Sequence, residues 1–285
     1  MGSLWMLVAG AFFACMGVFV KLGAAFFSDI ELVFYRSFLG LLLMFLIMAS
    51  RKIPIATPCL RNHLWRGISG TVALMLFFYC ITTLPLATAI TLNYTAPMFL
   101  TLLTTFVLRE KIHPQLSIAI ATGFAGVVLL LHPTLQQDQL ASGMLGLASG
   151  FLAGVAYLNV RQLGQLGEPA ARTVFYFSLT AAVCSGALML TGRVHSITPH
   201  GFAILLGLGC TATFAQLAMT RAYRVGKTLV VGSLAYSTIL FASVFGMLLW
   251  NETLPATGWL GMALIIAGGV LSLHLSHSAQ SKGKT

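Results

Sequence analysis

The sequence predicts an all-α integral membrane protein, with ten transmembrane helices arranged as two inverted five-helix repeats. Three observations carry that expectation. First, 58% of the 285 residues are hydrophobic and only 8% are charged, against about 25% charged in a soluble domain. Second, apolar runs of roughly 17–25 residues recur along nearly the whole length, each able to cross a hydrocarbon core of about 30 Å. Third, the chain repeats itself. Moved forward by 142 positions, Leu92, Tyr94, Phe99 and Glu110 fall on Leu234, Tyr236, Phe241 and Glu252, and Gly126 and His132 fall on Gly268 and His274. A shift of 141 places Phe34-Tyr35 and Ser37 on Phe175-Tyr176 and Ser178.

The first run, 4–22, lacks the basic start of a cleavable leader and reads as a span. Gly10, Ala14 and Gly17 give it a smooth face, and Lys21 marks its outer end. The second, 32–50, is interrupted by Arg36, and the third, 64–83, carries Tyr79. The fourth, 87–107, holds Asn93, Tyr94 and Pro97; the proline removes a backbone hydrogen bond in mid-span. The fifth, 116–132, ends on His132. The stretch 133–142 is polar and begins with a proline, as a connection should. The sixth run, 143–163, repeats glycine at 143, 146, 150 and 154 and carries Tyr157 and Asn159. The seventh, 171–191, carries Tyr176; the eighth, 200–220, carries Gln216; the ninth, 229–249, carries Tyr236; the tenth, 257–275, ends on His274. Small-residue faces allow close helix packing in lipid. The runs are continuous rather than alternating, which excludes a barrel. Five spans per half is an odd number, so the second half inserts upside down and a binding site is expected between the halves. The expected division is a first repeat at 1–132, a linker at 133–142, a second repeat at 143–275 and a cytoplasmic tail at 276–285.

The formal net charge of +10 sits in short connections. With an inside N-terminus and ten crossings, Arg51, Lys52, Arg61, Arg66, Arg109, Lys111, Arg161, Arg172, Arg221, Arg224, Lys227, Lys282 and Lys284 lie inside, against Lys21, Arg36 and Arg193 outside. That bias places both termini in the cytoplasm, in a plasma or inner membrane. Basic charge here sets orientation, so no nucleic-acid partner is expected. The five cysteines show no disulfide or metal-ligand spacing.

Residues 78–111 read FYCITTLPLATAITLNYTAPMFLTLLTTFVLREK, and residues 222–252 read AYRVGKTLVVGSLAYSTILFASVFGMLLWNE. Both resemble the EamA repeat of the drug/metabolite transporter superfamily. Its pattern runs from a small-residue turn, through a helix with a central Tyr or Pro, to a Gly-Glu or Arg-Glu close followed by a glycine-rich helix. Phe34-Tyr35-Arg36-Ser37 resembles the family's second helix. The glycine often found before the glutamate is missing from Leu108-Arg109-Glu110 and Trp250-Asn251-Glu252. The resemblance covers about residues 4–275. It implies a ten-helix carrier for small organic solutes, among whose members are exporters of amino acids and metabolites and some importers.

Arg36 is the most unusual side chain. A charge within a membrane is costly and faces a cavity, a partner or the interface. Two readings stand: an anchor for a substrate carboxylate or phosphate through its bidentate fork, or snorkelling to the surface with Glu31 or Asp29 as partner. Lys21 assists in the first reading and is an interface lysine in the second. Tyr94, Tyr236, Asn93, Tyr79, Tyr157, Tyr176 and Gln216 complete the candidate substrate-binding set, with helix-to-helix hydrogen bonding as the alternative role for each. The six acids all lie at span ends or in connections. Cationic-drug antiporters of the small relatives use a carboxylate buried in the membrane, so a neutral, zwitterionic or anionic solute fits better. No phosphate-binding loop, HExxH or GxSxG sequence occurs. No enzyme activity, catalytic residue, cofactor or resident metal is therefore expected. The expected function is alternating-access transport of an amino acid or related metabolite, export favoured. The alternatives are uptake of a nucleoside derivative or vitamin, or a non-transporting membrane scaffold. The expected partners are a small-molecule solute and the lipid bilayer, with the chain a monomer or homodimer.

Overall fold

The computed structural model describes residues 4–108, 114–134, 139–192, 194–225 and 234–282. Among them the elements are helices: α1 Trp5–Gly23, α2 Asp29–Ser50, α3 Leu60–Thr83, α4 Leu86–Asn93, α5 Ala96–Leu108, α6 Pro114–Thr134, α7 Leu140–Gln165, α8 Ala170–Met189, α9 Pro199–Val225, α10 Ser237–Trp250 and α11 Ala256–Lys282. Six of the described helices (α1, α2, α3, α7, α8 and α9 as far as Met219) are long and apolar enough to cross a membrane. The chain is a multi-pass membrane protein. Helix α11 continues through Lys282, into the stretch expected as a tail.

The helix starts have local causes. Ser28 and Glu31 form a capping box at the start of α2, satisfying backbone donors that the first turn leaves open. Pro114 and Pro199 open α6 and α9, where a missing N–H costs nothing. At the end of α10, Asn251 takes the left-handed conformation (φ 51°). The chain folds back there, and the Glu252 N–H donates to the Gly246 carbonyl at 3.2 Å. Gly246 has no Cβ for good reason: one would stand 2.5 Å from Glu252 Oε2.

The fourth expected span is not one helix. It divides at Tyr94–Thr95 into α4, of 8 residues, and α5, of 13 residues. At 1.5 Å per residue these are about 12 and about 20 Å long, and neither crosses alone. Pro97 lies just past the break, where it lacks the N–H a continuous helix needs. The described part of the ninth expected span begins at 234, and Tyr236, the residue before α10, keeps right-handed helical angles (φ −64°, ψ −14°). The part of that span at 229–233 lies outside the described residues.

Packing is reciprocal. α1 lies along α9 and α3 along α7, while α2 pairs with α8 and α6 with α11. The closest approach is between α6 and α11. A Cβ on Gly126 would stand 2.6 Å from the Gly261 carbonyl oxygen, and one on Gly268 would stand 2.6 Å from the Ala119 carbonyl oxygen. The shift of 142 exchanges these two contacts. The glycine faces seen in the sequence receive the α4–α5 break and the start of α10. Gly150 and Gly154 of α7 lie against Leu92 O and Ala96 O, and Gly10 of α1 lies against Ser237 and Thr238 at the start of α10.

Candidate functional site

Arg36 lies about 10 Å along α2 from Asp29, at 1.5 Å per residue. It is only 6% exposed. It neither snorkels nor meets Glu31, whose carboxylate is engaged by Ser28 and His195. The interface reading of Arg36 is thereby corrected: helix rotation turns the guanidinium inward, to 5.5 Å from the Phe177 ring of α8. Beside it is a small cavity of about 10 Å³ between α2, α8 and α9, bordered by Arg36, Gly40, Ser178, Thr213 and Gln216.

Arg66 shares the same ring. Its guanidinium carbon is 4.2 Å from the Phe177 centroid, and the residue is 9% exposed. The charge bias predicts an inside position for Arg66. The residue sits about 9 Å along α3 and folds back over Gly70, where any Cβ would collide with Nη1. Among the described residues neither arginine has a hydrogen-bonding or ionic partner, and Arg36 Nε, Arg66 Nε and Arg66 Nη1 are all buried. Tyr157 is an electrostatic neighbour of Arg66 but presents much of its side chain at the surface (37% exposed).

A second polar group forms where the α4–α5 break meets the start of α10. Tyr94 and Tyr236 stand with ring centroids 6.2 Å apart, and the Tyr94 hydroxyl shares a 2.8 Å hydrogen bond with Thr238 Oγ1. Gly269 of α11 lies against the Tyr236 hydroxyl. Asn93 donates to Ser149 Oγ at 2.8 Å, and Ser149 donates to Ala73 O at 2.9 Å. That chain ties α4, α7 and α3 together.

The ends of the bundle are latched. At one end Glu252 pairs with Lys21 and accepts the Leu86 N–H at 2.8 Å, which joins α1, α4 and the turn after α10. At the same end Glu31 accepts the His195 N–H at 2.8 Å. At the other end Glu168 accepts from Thr57 (2.7 Å) and Arg172 (2.9 Å), with His63 Nε2 at 3.3 Å. Burial pushes the Glu168 carboxyl up, but these hydrogen bonds and the Arg172 charge outweigh it and hold its pKa below the ordinary carboxylate range. Tyr176 belongs to this end: its hydroxyl donates to Ile55 O at 3.0 Å and its ring stacks on His63.

The structure thus brings Arg36 and Gln216 to one cavity and joins Tyr94 to Tyr236. It places Lys21 and Tyr176 in the end latches and Asn93 in a helix-linking chain, and it leaves Tyr79 38% exposed. Sequence reasoning missed Arg66 and Phe177. The signal for Phe177 was present, because the shift of 141 places Arg36 on Phe177 itself.

Comparison with known proteins gives consistent matches. The family model of the EamA-like transporter family matches residues 1–132 and 141–273. An uncharacterized transporter of Helicobacter pylori strain J99 is 29% identical over 278 residues, covering 95% of this chain and 93% of that protein. The pseudopaline exporter of Pseudomonas aeruginosa is 29% identical over 270 residues, covering 95% and 92% respectively. A solved crystal structure, 15% identical, superposes with a TM-score of 0.69 over 96% of this chain and 98% of its own length, which shows a shared fold.

Proposed function

Because this chain belongs to the EamA-like transporter family, we propose that it carries a small organic solute, an amino acid or related metabolite, across the inner membrane by alternating access. The carrier is two inverted five-helix halves, residues 1–132 and 143–275, making ten crossings with both termini in the cytoplasm. The reciprocal pairs α1–α9 and α3–α7 support the inversion, as do the exchanged contacts of Gly126 and Gly268. The crossing scheme gains support from the latches. Lys21, Glu31, His195 and Glu252 gather at the end it assigns to the outside, and Thr57, His63, Glu168 and Arg172 at the end it assigns to the inside.

The observation that carries the reading is the buried Arg36 guanidinium beside a cavity of about 10 Å³. An unpartnered cation in lipid is expensive and marks a pathway. The cavity holds roughly one water, so a metabolite enters only when the halves part. The break at Tyr94–Thr95 gives the first half the discontinuous helix that such carriers use near the membrane midplane. Export is favoured by the similarity to an exporter. Counterflow into liposomes, with Arg36→Ala beside the unaltered chain, tests the proposal. Saturable flux of a carboxylate-bearing solute, lost in Arg36→Ala, is the expected result. Absence of flux for every solute, from folded protein, favours a scaffold.

A further inference from the structure

Arg36 and Arg66 are two buried cations on one aromatic ring. Their distances of 5.5 and 4.2 Å to a common centroid keep the two guanidinium groups no farther apart than those lengths added together. The Phe177 quadrupole offsets only part of the cost of burying them. The described acids are engaged elsewhere: Glu31 with His195, Glu168 with Arg172 and Glu252 with Lys21, while Asp29 is in the first turn of α2. Among the described residues no acid is therefore left to balance the two cations, and a ligand can bring that negative charge.

We propose that Arg36 and Arg66, which share the Phe177 ring, together take a solute bearing two negative charges when the small cavity beside Arg36 opens, with carboxylates as the matching groups, one on each arginine fork. The inference rests on the carrier reading only in taking this space to be reachable from water. A simple zwitterion fits poorly. Its one carboxylate leaves the second cation uncompensated, and its ammonium meets no described carboxylate beside Phe177. A dianion neutralises both cations and offers acceptors to the open donors on Arg36 Nε, Arg66 Nε and Arg66 Nη1.

The test uses the full chain in nanodiscs, melted in succinate, in succinamate (one carboxylate replaced by an amide) and in sulfate at matched ionic strength. Succinate and sulfate raise the melting temperature saturably, and succinamate does so far less. Arg36→Met and Arg66→Met melt higher than the unaltered chain without anion, because each removes an uncompensated charge, and both lose the succinate response. Equal shifts with succinate and succinamate, or a succinate response that survives both substitutions, overturn the proposal. Should Arg66→Met not fold, Gly70→Ala keeps the charge but displaces the fork, and it must weaken the response as well. Counterflow separates the two readings. Succinate binding without flux counts against the carrier and leaves the dianion site standing. Flux of a zwitterion untouched by both arginine substitutions removes the dianion site and leaves the carrier.

Discussion

Glu31 and Arg172 occupy the same place in the two halves, 141 residues apart, carry opposite charge, and each holds a loop from the other half. Glu31 accepts from the His195 backbone at 2.8 Å, and Arg172 Nε donates to the Pro54 carbonyl at 2.9 Å. The two contacts lie at opposite ends of the bundle, so loosening either one has a local consequence. Thr57 Oγ1 bridges Glu168 to the Cys59 N–H, at 2.7 and 3.0 Å. Alkylation of the free, half-buried Cys59 is expected to quicken several-fold in Arg172→Met and Glu168→Gln and to change little in Glu31→Gln. Timed maleimide labelling measures this, and equal rates in all three variants would sink the idea of separate latches.

Glu168 also sets an acid limit. Its folded pKa lies below the ordinary value of 4.5, so the unfolded chain binds its proton first as pH falls. The stabilisation is complete above about 4.5 and is lost as pH drops through the lower folded value. Melting curves taken from neutral pH down to about 3.5 are expected to fall more steeply for the unaltered chain than for Glu168→Gln. Parallel curves would show that Glu168 contributes nothing to that slope.

Lys21 and Glu252 are partly shielded, with side chains 17% and 15% exposed. A double-substitution cycle is expected to give a coupling of about 1 kcal/mol. Glu252→Ala is expected to cost more than Lys21→Ala, because it also strips the Leu86 N–H of its acceptor at the first turn of α4. Equal losses in chemical or thermal unfolding would contradict the assignment of both roles to one carboxylate.

One substitution at two glycines separates packing from function. In Gly268→Ala the new methyl meets only backbone, Ala119 O at 2.6 Å and Gly123 N at 2.7 Å. The helices α6 and α11 must part, at a cost of roughly 1–3 kcal/mol. In Gly70→Ala the atom met most closely is the mobile tip of Arg66. The expectation is a clear drop in melting temperature for the first variant. The second should melt nearly unchanged and lose most of its flux. A Gly70→Ala protein with full flux would detach Arg66 from transport.

Hydropathy made the helices legible. The expected spans at 4–22, 32–50 and 171–191 became α1, α2 and α8 with no end moved by more than three residues. The break at Tyr94–Thr95 was hidden because the apolar run continues through it, and side-chain hydropathy carries no record of a missing backbone bond. Pro97 was the available hint. The burial of Arg66 was not legible because it lies close to the end of its apolar run, where position alone does not distinguish an anchoring charge from one rotated inward. The pairing of α2 with α8 gives Arg36 its aromatic neighbour, and that pairing depends on tertiary packing. The repeat nevertheless aligned Arg36 with Phe177.

That alignment bears on kinetics. Residues 36 and 177 align under the shift of 141, one cationic and the other aromatic. In the proposed cycle, halves that trade shapes do not trade this charge. An anionic group docked on α2 and α3 would stay with the same half throughout, while the rest of the solute exchanged one exit for the other. Loading from the two faces is then not the same event run backwards, and the half-saturating concentrations on the two sides differ. The final distribution of solute still follows the gradient, but the rate at which each side fills depends on how the two copies diverged at this one position.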